Sequence, residues 1–78
     1  MMATSPSRAL QRDTFSGAHA SVTLTRAPRP NTEVVVLNTL VLFRVASSPG
    51  NNEYTLAGAT VTFGTAMVSG DVCEVRYA

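Results

Sequence analysis

Seventy-eight residues make one domain at most, and a chain this short buries only about 60–65% of the surface its unfolded form exposes, so its own core is thin. A single cysteine excludes an internal disulfide, and one cysteine with one histidine does not make a structural zinc site. The net charge is +1, all six positive charges are arginine, and charged residues are 14% of the chain; this excludes the basic stripe of a dedicated nucleic-acid binder and leaves oligomerisation or docking on a larger assembly as the expected further source of stability.

Residues 1–12 (MMATSPSRALQR) are small, polar and without period. Pro6 interrupts any early helix, and residues 7–11 are too few for a helix to stand alone. This segment reads as an N-terminal arm, either a flexible tail or a strap that orders on a neighbouring subunit. In the second case Leu10 is its apolar anchor, and Arg8 and Arg12 are its charged contacts. It lacks the continuous apolar stretch of a signal peptide, and no apolar run in the chain approaches a membrane span. Synthesis in the cytoplasm without export is the expectation.

Residues 13–78 read as one β-domain. Asp13-Thr14-Phe15 is a short strand or extended entry, broken by Gly17-Ala18. Residues 20–26 alternate, with Ala20, Val22 and Leu24 on one side and Ser21, Thr23 and Thr25 on the other. Residues 27–31 (APRPN) cannot be central strand, because each proline removes a ladder donor. They form a stiff loop with Arg29 and Asn31 at its tip.

Residues 33–37 (EVVVL) are apolar on both faces, as in a strand covered from both sides or buried at a subunit contact. Asn38-Thr39 turns the chain into a strand over 40–45. Asn38 tolerates a left-handed backbone and β-branched Thr39 does so poorly. The turn is therefore a tight hairpin, a type I turn with a bulge, or a bend within one strand. Residues 46–52 (ASSPGNN) are a loop, with Pro49-Gly50 suited to the centre of a type II turn.

Residues 53–56 are the next strand, turned by Ala57-Gly58-Ala59 into 60–63, where Val61 and Phe63 face in. Residues 64–70 are a connection plugged by Met67 and Val68. Gly70-Asp71 then starts 72–77, with Cys73, Val75 and Tyr77 on one face and Glu74 and Arg76 on the other. About six short strands at this spacing predict a small antiparallel β-sandwich or open barrel.

No catalytic or cofactor constellation accompanies these elements. His19, Ser21 and Asp71 spell a triad only on paper, since no nucleophile elbow surrounds the serine. The carboxylates of Asp13, Glu33, Glu53, Asp71 and Glu74 are dispersed along the chain. Cys73 falls on the inward face, where cysteine behaves as a small hydrophobe. Asp71 reads as a turn residue that accepts backbone N–H groups. Tyr54 and Tyr77 read as core-rim aromatics, or else as a platform for a sugar. The expectation is no enzyme, no cofactor and no metal.

The order of these elements resembles a small β-module repeated in bacteriophage tail-fibre, head-fibre and related virion proteins. The residues that carry the resemblance are Thr14-Phe15, Pro30-Asn31, Val35-Val36-Leu37-Asn38, Tyr54-Thr55, Gly58, Val61-Thr62-Phe63, and Gly70-Asp71 through Val75 to Tyr77. Thr39 departs from it, standing where the module usually has glycine, and residues 46–52 make a longer loop. The resemblance implies a virion structural protein without enzymatic activity: a capsid decoration subunit or a small tail or fibre component. Its partners would be major capsid or tail subunits and other copies of itself, with no nucleic acid and no membrane. The expected contact residues are Arg8, Leu10 and Arg12 in the arm and Arg29 and Asn31 in the loop. The competing expectation is an attachment module that binds host-surface glycan through loop tips and Tyr54.

Overall fold

The computed structural model describes residues 10–78. They form two four-stranded sheets packed face to face, with no helix among the described residues. The strands are β1 (Gln11–Ser16), β2 (His19–Thr23), β3 (Val34–Leu37), β4 (Leu40–Val41), β5 (Phe43–Arg44), β6 (Glu53–Ala57), β7 (Thr60–Met67) and β8 (Val72–Tyr77). One sheet has the order β1-β8-β3-β4 and the other β2-β7-β6-β5. The pairings are antiparallel except that of β5 with β6, which is parallel. This is the all-β sandwich that the alternation predicts.

Side chains two residues apart share a face of a strand, and the core follows that rule. Val35, Cys73, Val75 and Tyr77 project from the first sheet, and Val22, Tyr54, Val61, Phe63 and Met67 from the second; all are buried. Phe15, Leu37 and Leu56 pack against this cluster from its margin. Removal of apolar surface from water at roughly 25 cal/mol per Å² is what holds the two sheets together.

There are eight strands rather than about six, chiefly because the run 40–45 is not one strand. Leu40-Val41 pairs with β3 in the first sheet and Phe43-Arg44 pairs with β6 in the second. The corner is Leu42, whose side chain is buried. Its N–H donates to the Val35 carbonyl at 2.9 Å, while the next N–H, of Phe43, donates to the Asn52 carbonyl at 2.9 Å. On the opposite side the chain also changes sheet, from β1 to β2 through Gly17. Both flanks of the sandwich are therefore stitched by chain crossings.

The turns differ from expectation in instructive ways. Leu37 pairs with Leu40, so Asn38-Thr39 is a two-residue hairpin loop. Both residues have positive φ, 50° and 71°, the signature of a type I′ turn. The tight hairpin thus forms despite β-branched Thr39. Pro49-Gly50 is not the centre of a type II turn, since Gly50 has no positive φ. The turn there is two residues on, centred on Asn51-Asn52, with Glu53 N–H donating to the Gly50 carbonyl at 3.2 Å and Asn52 at φ 62°. Pro30-Asn31 instead has the type II arrangement, with Asn31 at φ 63° and Thr32 N–H donating to the Arg29 carbonyl at 3.2 Å.

Three further corrections concern strand extent. β1 starts at Gln11, so Gln11 and Arg12 belong to the sheet rather than to an arm. β7 runs on through Met67, which is buried, whereas Val68 is exposed and plugs nothing. Ala20 is exposed because the register of β2 against β7 slips between His19 and Ser21. Four residues of β7 there oppose Ala20 alone, and such a bulge re-aims the strand.

Candidate docking face

The two outer faces of the sandwich are chemically unlike. On the second sheet, the cross-strand rows read Ser21–Thr62–Thr55 and Thr23–Thr60–Ala57. Hydroxyl groups cover most of that face, and water solvates them well. On the first sheet, the rows read Arg12–Arg76–Val34 and Thr14–Glu74–Val36–Val41. Val72 lies beside them and Asn38 and Thr39 close one end. Val34, Val41 and Val72 are 42%, 52% and 49% exposed. The EVVVL run is thus covered on one side only: Val35 is fully buried in the core while Val34 faces solvent.

The charges on this face are tied together. The Arg12 Nε lies 2.7 Å from Glu74 and an Arg76 Nη lies 3.1 Å from the same carboxylate. Two guanidinium groups share one carboxylate, which leaves a net positive fringe beside an aliphatic patch. Exposed pairs of this kind contribute little stability, but they hold the arginine side chains in place.

The site residues expected from sequence are spread over the molecule. Arg8 lies outside the described residues. Leu10 is 80% exposed just before β1, and Arg12 is on the outer face of the first sheet. Arg29 donates its N–H to the Ala78 carbonyl at 2.9 Å, and Asn31 is the exposed tip of its turn. Because Gln11 pairs with Tyr77, Leu10 and the Arg29–Asn31 turn stand at the same end of the sandwich. The valines of the outer face were not among the expected contacts. For Val34 and Val36 the signal was the apolar-on-both-faces run 33–37, which did not tell which valine faces outward.

The remaining chemistry-bearing side chains are engaged in holding the fold. Asp13 accepts four hydrogen bonds: from the Thr25 N–H at 2.8 Å, the Thr25 hydroxyl at 2.7 Å, the Tyr77 hydroxyl at 2.5 Å and the Gln11 amide at 2.9 Å. Burial pushes this carboxyl up, but the donors outweigh it and hold it at about 2. The Arg26 guanidinium sits 5.5 Å from the Tyr77 ring centroid, a cation–π distance. At the other flank, the Glu33 side chain is 3% exposed and accepts from Arg44 and from the Tyr54 hydroxyl, each at 3.1 Å. Burial, and then the Glu33 charge, push the Tyr54 hydroxyl well above its usual range.

Asp71 joins two turns. It accepts from the Val68 N–H at 2.9 Å and from the Asn38 amide at 2.9 Å, and both bonds lower its pKa. Asn38 in turn accepts the Val72 N–H at 2.9 Å. This is the backbone-accepting role expected for Asp71. Cys73 has no exposed surface, and burial, then the Glu74 charge, raise its thiol to about 11. His19 starts β2, with Nε2 at 3.2 Å from the Ser16 carbonyl and its ring edge-on to Phe15. Tyr54 and Tyr77 are 3% and 1% exposed, so neither offers a ring face to a sugar.

No cluster of three or more metal-ligating side chains occurs among the described residues. Compared with protein-family models, curated proteins and solved structures, the chain matches none.

Proposed function

We propose that this chain is a non-enzymatic accessory subunit of a bacteriophage virion, docking on capsid or tail proteins through the outer face of its β1-β8-β3-β4 sheet. The observation that carries the reading is the contrast between the two outer faces. A molecule solvated on both sides has no use for Val34, Val36, Val41 and Val72 side by side beneath water, while its other sheet carries threonine. Exposed aliphatic patches rimmed by polar groups mark interaction sites. The module resemblance supplies the context in which such a small sandwich works.

Mechanistically the subunit acts by adhesion. Burying the valine rows releases ordered water at roughly 25 cal/mol per Å², and the arginine fringe favours a partner with acidic groups around an apolar strand face. A contact of standard size offsets the thin core of a chain this short.

The test is absolute quantification of this chain in purified virions, scaled to the major capsid protein. Hundreds of copies per particle identify capsid decoration. Between about six and a few dozen identify a tail or fibre component, as closed rings require. Its absence from the particle overturns the proposal.

A further inference from the structure

We infer that β4 pairs with β4 of a second copy of this chain about a two-fold axis, joining two first sheets into one eight-stranded sheet. The hydrogen-bond alternation of the edge carries the argument. Asn38 N–H donates across to Val72 in β8, while the Val35 carbonyl accepts from Leu42 on the β4 side. Since successive residues of a strand point their amides to opposite sides, Leu40 and Leu42 bond inward to β3. The N–H and C=O of Val41 point away from the sheet. On β5, Phe43 and Val45 donate inward to β6, so the amide of Arg44 points outward as well. This flank therefore presents main-chain groups that lack a ladder partner among the described residues.

The side chains along the same flank are apolar. Leu40, Val41 and Phe43 are 48%, 52% and 69% exposed. Edge strands are ordinarily blunted by shortness, lysine, proline, bulges or inward charges; β4 is short, at two residues, but residues 40–43 carry no lysine, proline or charge. Arg44, the nearest charge along the chain, pairs with Glu33 at 3.1 Å with its side chain 43% exposed, and Glu53 stands opposite Phe43 on β6. Arg12 and Arg76 lie on β1 and β8, at least two strands away. A two-fold antiparallel contact centred on Val41 sets Arg44 of each copy opposite Asn38 of the other, so Arg44 does not meet Arg44.

Antiparallel edge pairing is isologous: the Val41 N–H of each copy donates to the Val41 carbonyl of the other. The opposite edge of this sheet, β1, is less suited, since it carries Arg12, and Asp13 beside it is bonded to Thr25. The area sets the strength. Three partly exposed side chains cover well under the ~800 Å² per partner of a standard interface, which places the contact in the small, weak class. The paired sheets would also double the valine face, so this inference deepens the docking reading without depending on which virion protein is met.

The experiment is sedimentation equilibrium of the full chain from 1 to 500 μM, with amide hydrogen exchange at both extremes. The expected result is a monomer–dimer equilibrium in which the Val41 amide becomes at least tenfold more protected at high concentration. Val41→Lys and Phe43→Ser, with unchanged circular dichroism, are each expected to weaken the dimer at least tenfold. Val72→Lys, on the outer face but away from the edge, is expected to leave it unchanged. A wild-type chain monomeric at 500 μM, a dimer whose Val41 amide exchanges freely, or a dimer lost in Val72→Lys but kept in Val41→Lys would each overturn the inference. None of these outcomes changes the copy number in virions, so the two proposals fail separately.

Discussion

At the scale of single residues, the fold rests on a few polar side chains that face inward. Asp13 is the clearest. It alternates with Gln11 and Phe15 on the core side of β1, and a carboxylate placed there needs donors. Thr25, Tyr77 and Gln11 supply them from 12, 64 and 2 residues away. Its pKa falls from 3.8 to about 2 on folding. A carboxyl depressed in the folded state contributes stability that is complete above its unfolded pKa and lost as pH falls through the folded one. Melting temperature should therefore drop between about pH 5 and pH 2. Asp13→Asn should be less stable at pH 6, by about 1–3 kcal/mol. It should also lose less than wild type over the acid range, although Asp71 titrates in the same direction. Thermal melts of both proteins from pH 7 to pH 2 check this; equal slopes would remove Asp13 from the account.

Thr39 is the second residue of consequence. A β-branched side chain at φ 71° is strained, and nothing in the type I′ turn needs its methyl or hydroxyl. The turn survives because Asn38 is fastened from both sides, its backbone N–H to Val72 and its side chain to Asp71 and Val72. Thr39→Gly relieves the strain and should raise stability by roughly 1 kcal/mol, within the ~1–3 kcal/mol range for such sites. Chemical denaturation of the pair measures it. A glycine variant less stable than wild type would mean that the hairpin is not I′.

At the scale of elements, the loop 46–52 and strand β7 are fitted to each other. A Cβ at Gly64 would meet the Gly50 carbonyl oxygen and also the backbone carbon of Pro49 at 2.7 Å. Backbone cannot yield as a flexible side chain can, so Gly64 is glycine because the Pro49-Gly50 segment lies directly on the strand. Gly64→Ala should cost about 2–4 kcal/mol, in the class of large single-residue effects with a named steric cause. Gly58, the first central residue of the β6–β7 turn, has φ 60° but open space around it. Alanine there should cost only about 1 kcal/mol, from backbone strain alone. Equilibrium unfolding of the two variants separates close approach from conformational strain.

At the scale of the molecule, the decisive property is asymmetry: one outer face of threonine and serine, one of valine, and one flank of apolar edge. A partner that binds only the folded state stabilises it by mass action. The melting temperature of the wild-type chain should accordingly rise by a few degrees between about 5 and 500 μM, and that of Val41→Lys should not. Scanning calorimetry at several concentrations tests this, and a concentration-independent midpoint for wild type would place all of its stability within one copy.

What depends on neighbours along the chain was legible in the residues alone. Period-two alternation placed Val61, Phe63, Cys73, Val75 and Tyr77 in the core, and Gly58 and the Gly70-Asp71 turn marked the strand ends, because pleating and backbone φ are local properties. The apolar run 33–37 likewise marked a strand with apolar side chains on both faces. Tertiary structure alone decided the rest. The sheet change at Leu42, the slip at Ala20, the closing of Tyr54 onto Glu33 and the fastening of Thr39 through Asn38 join residues 7 to 48 positions apart. No local preference encodes them, since Leu42 is as good a strand residue in one sheet as in two. Which valine meets solvent was settled by which face of β3 the second sheet left uncovered.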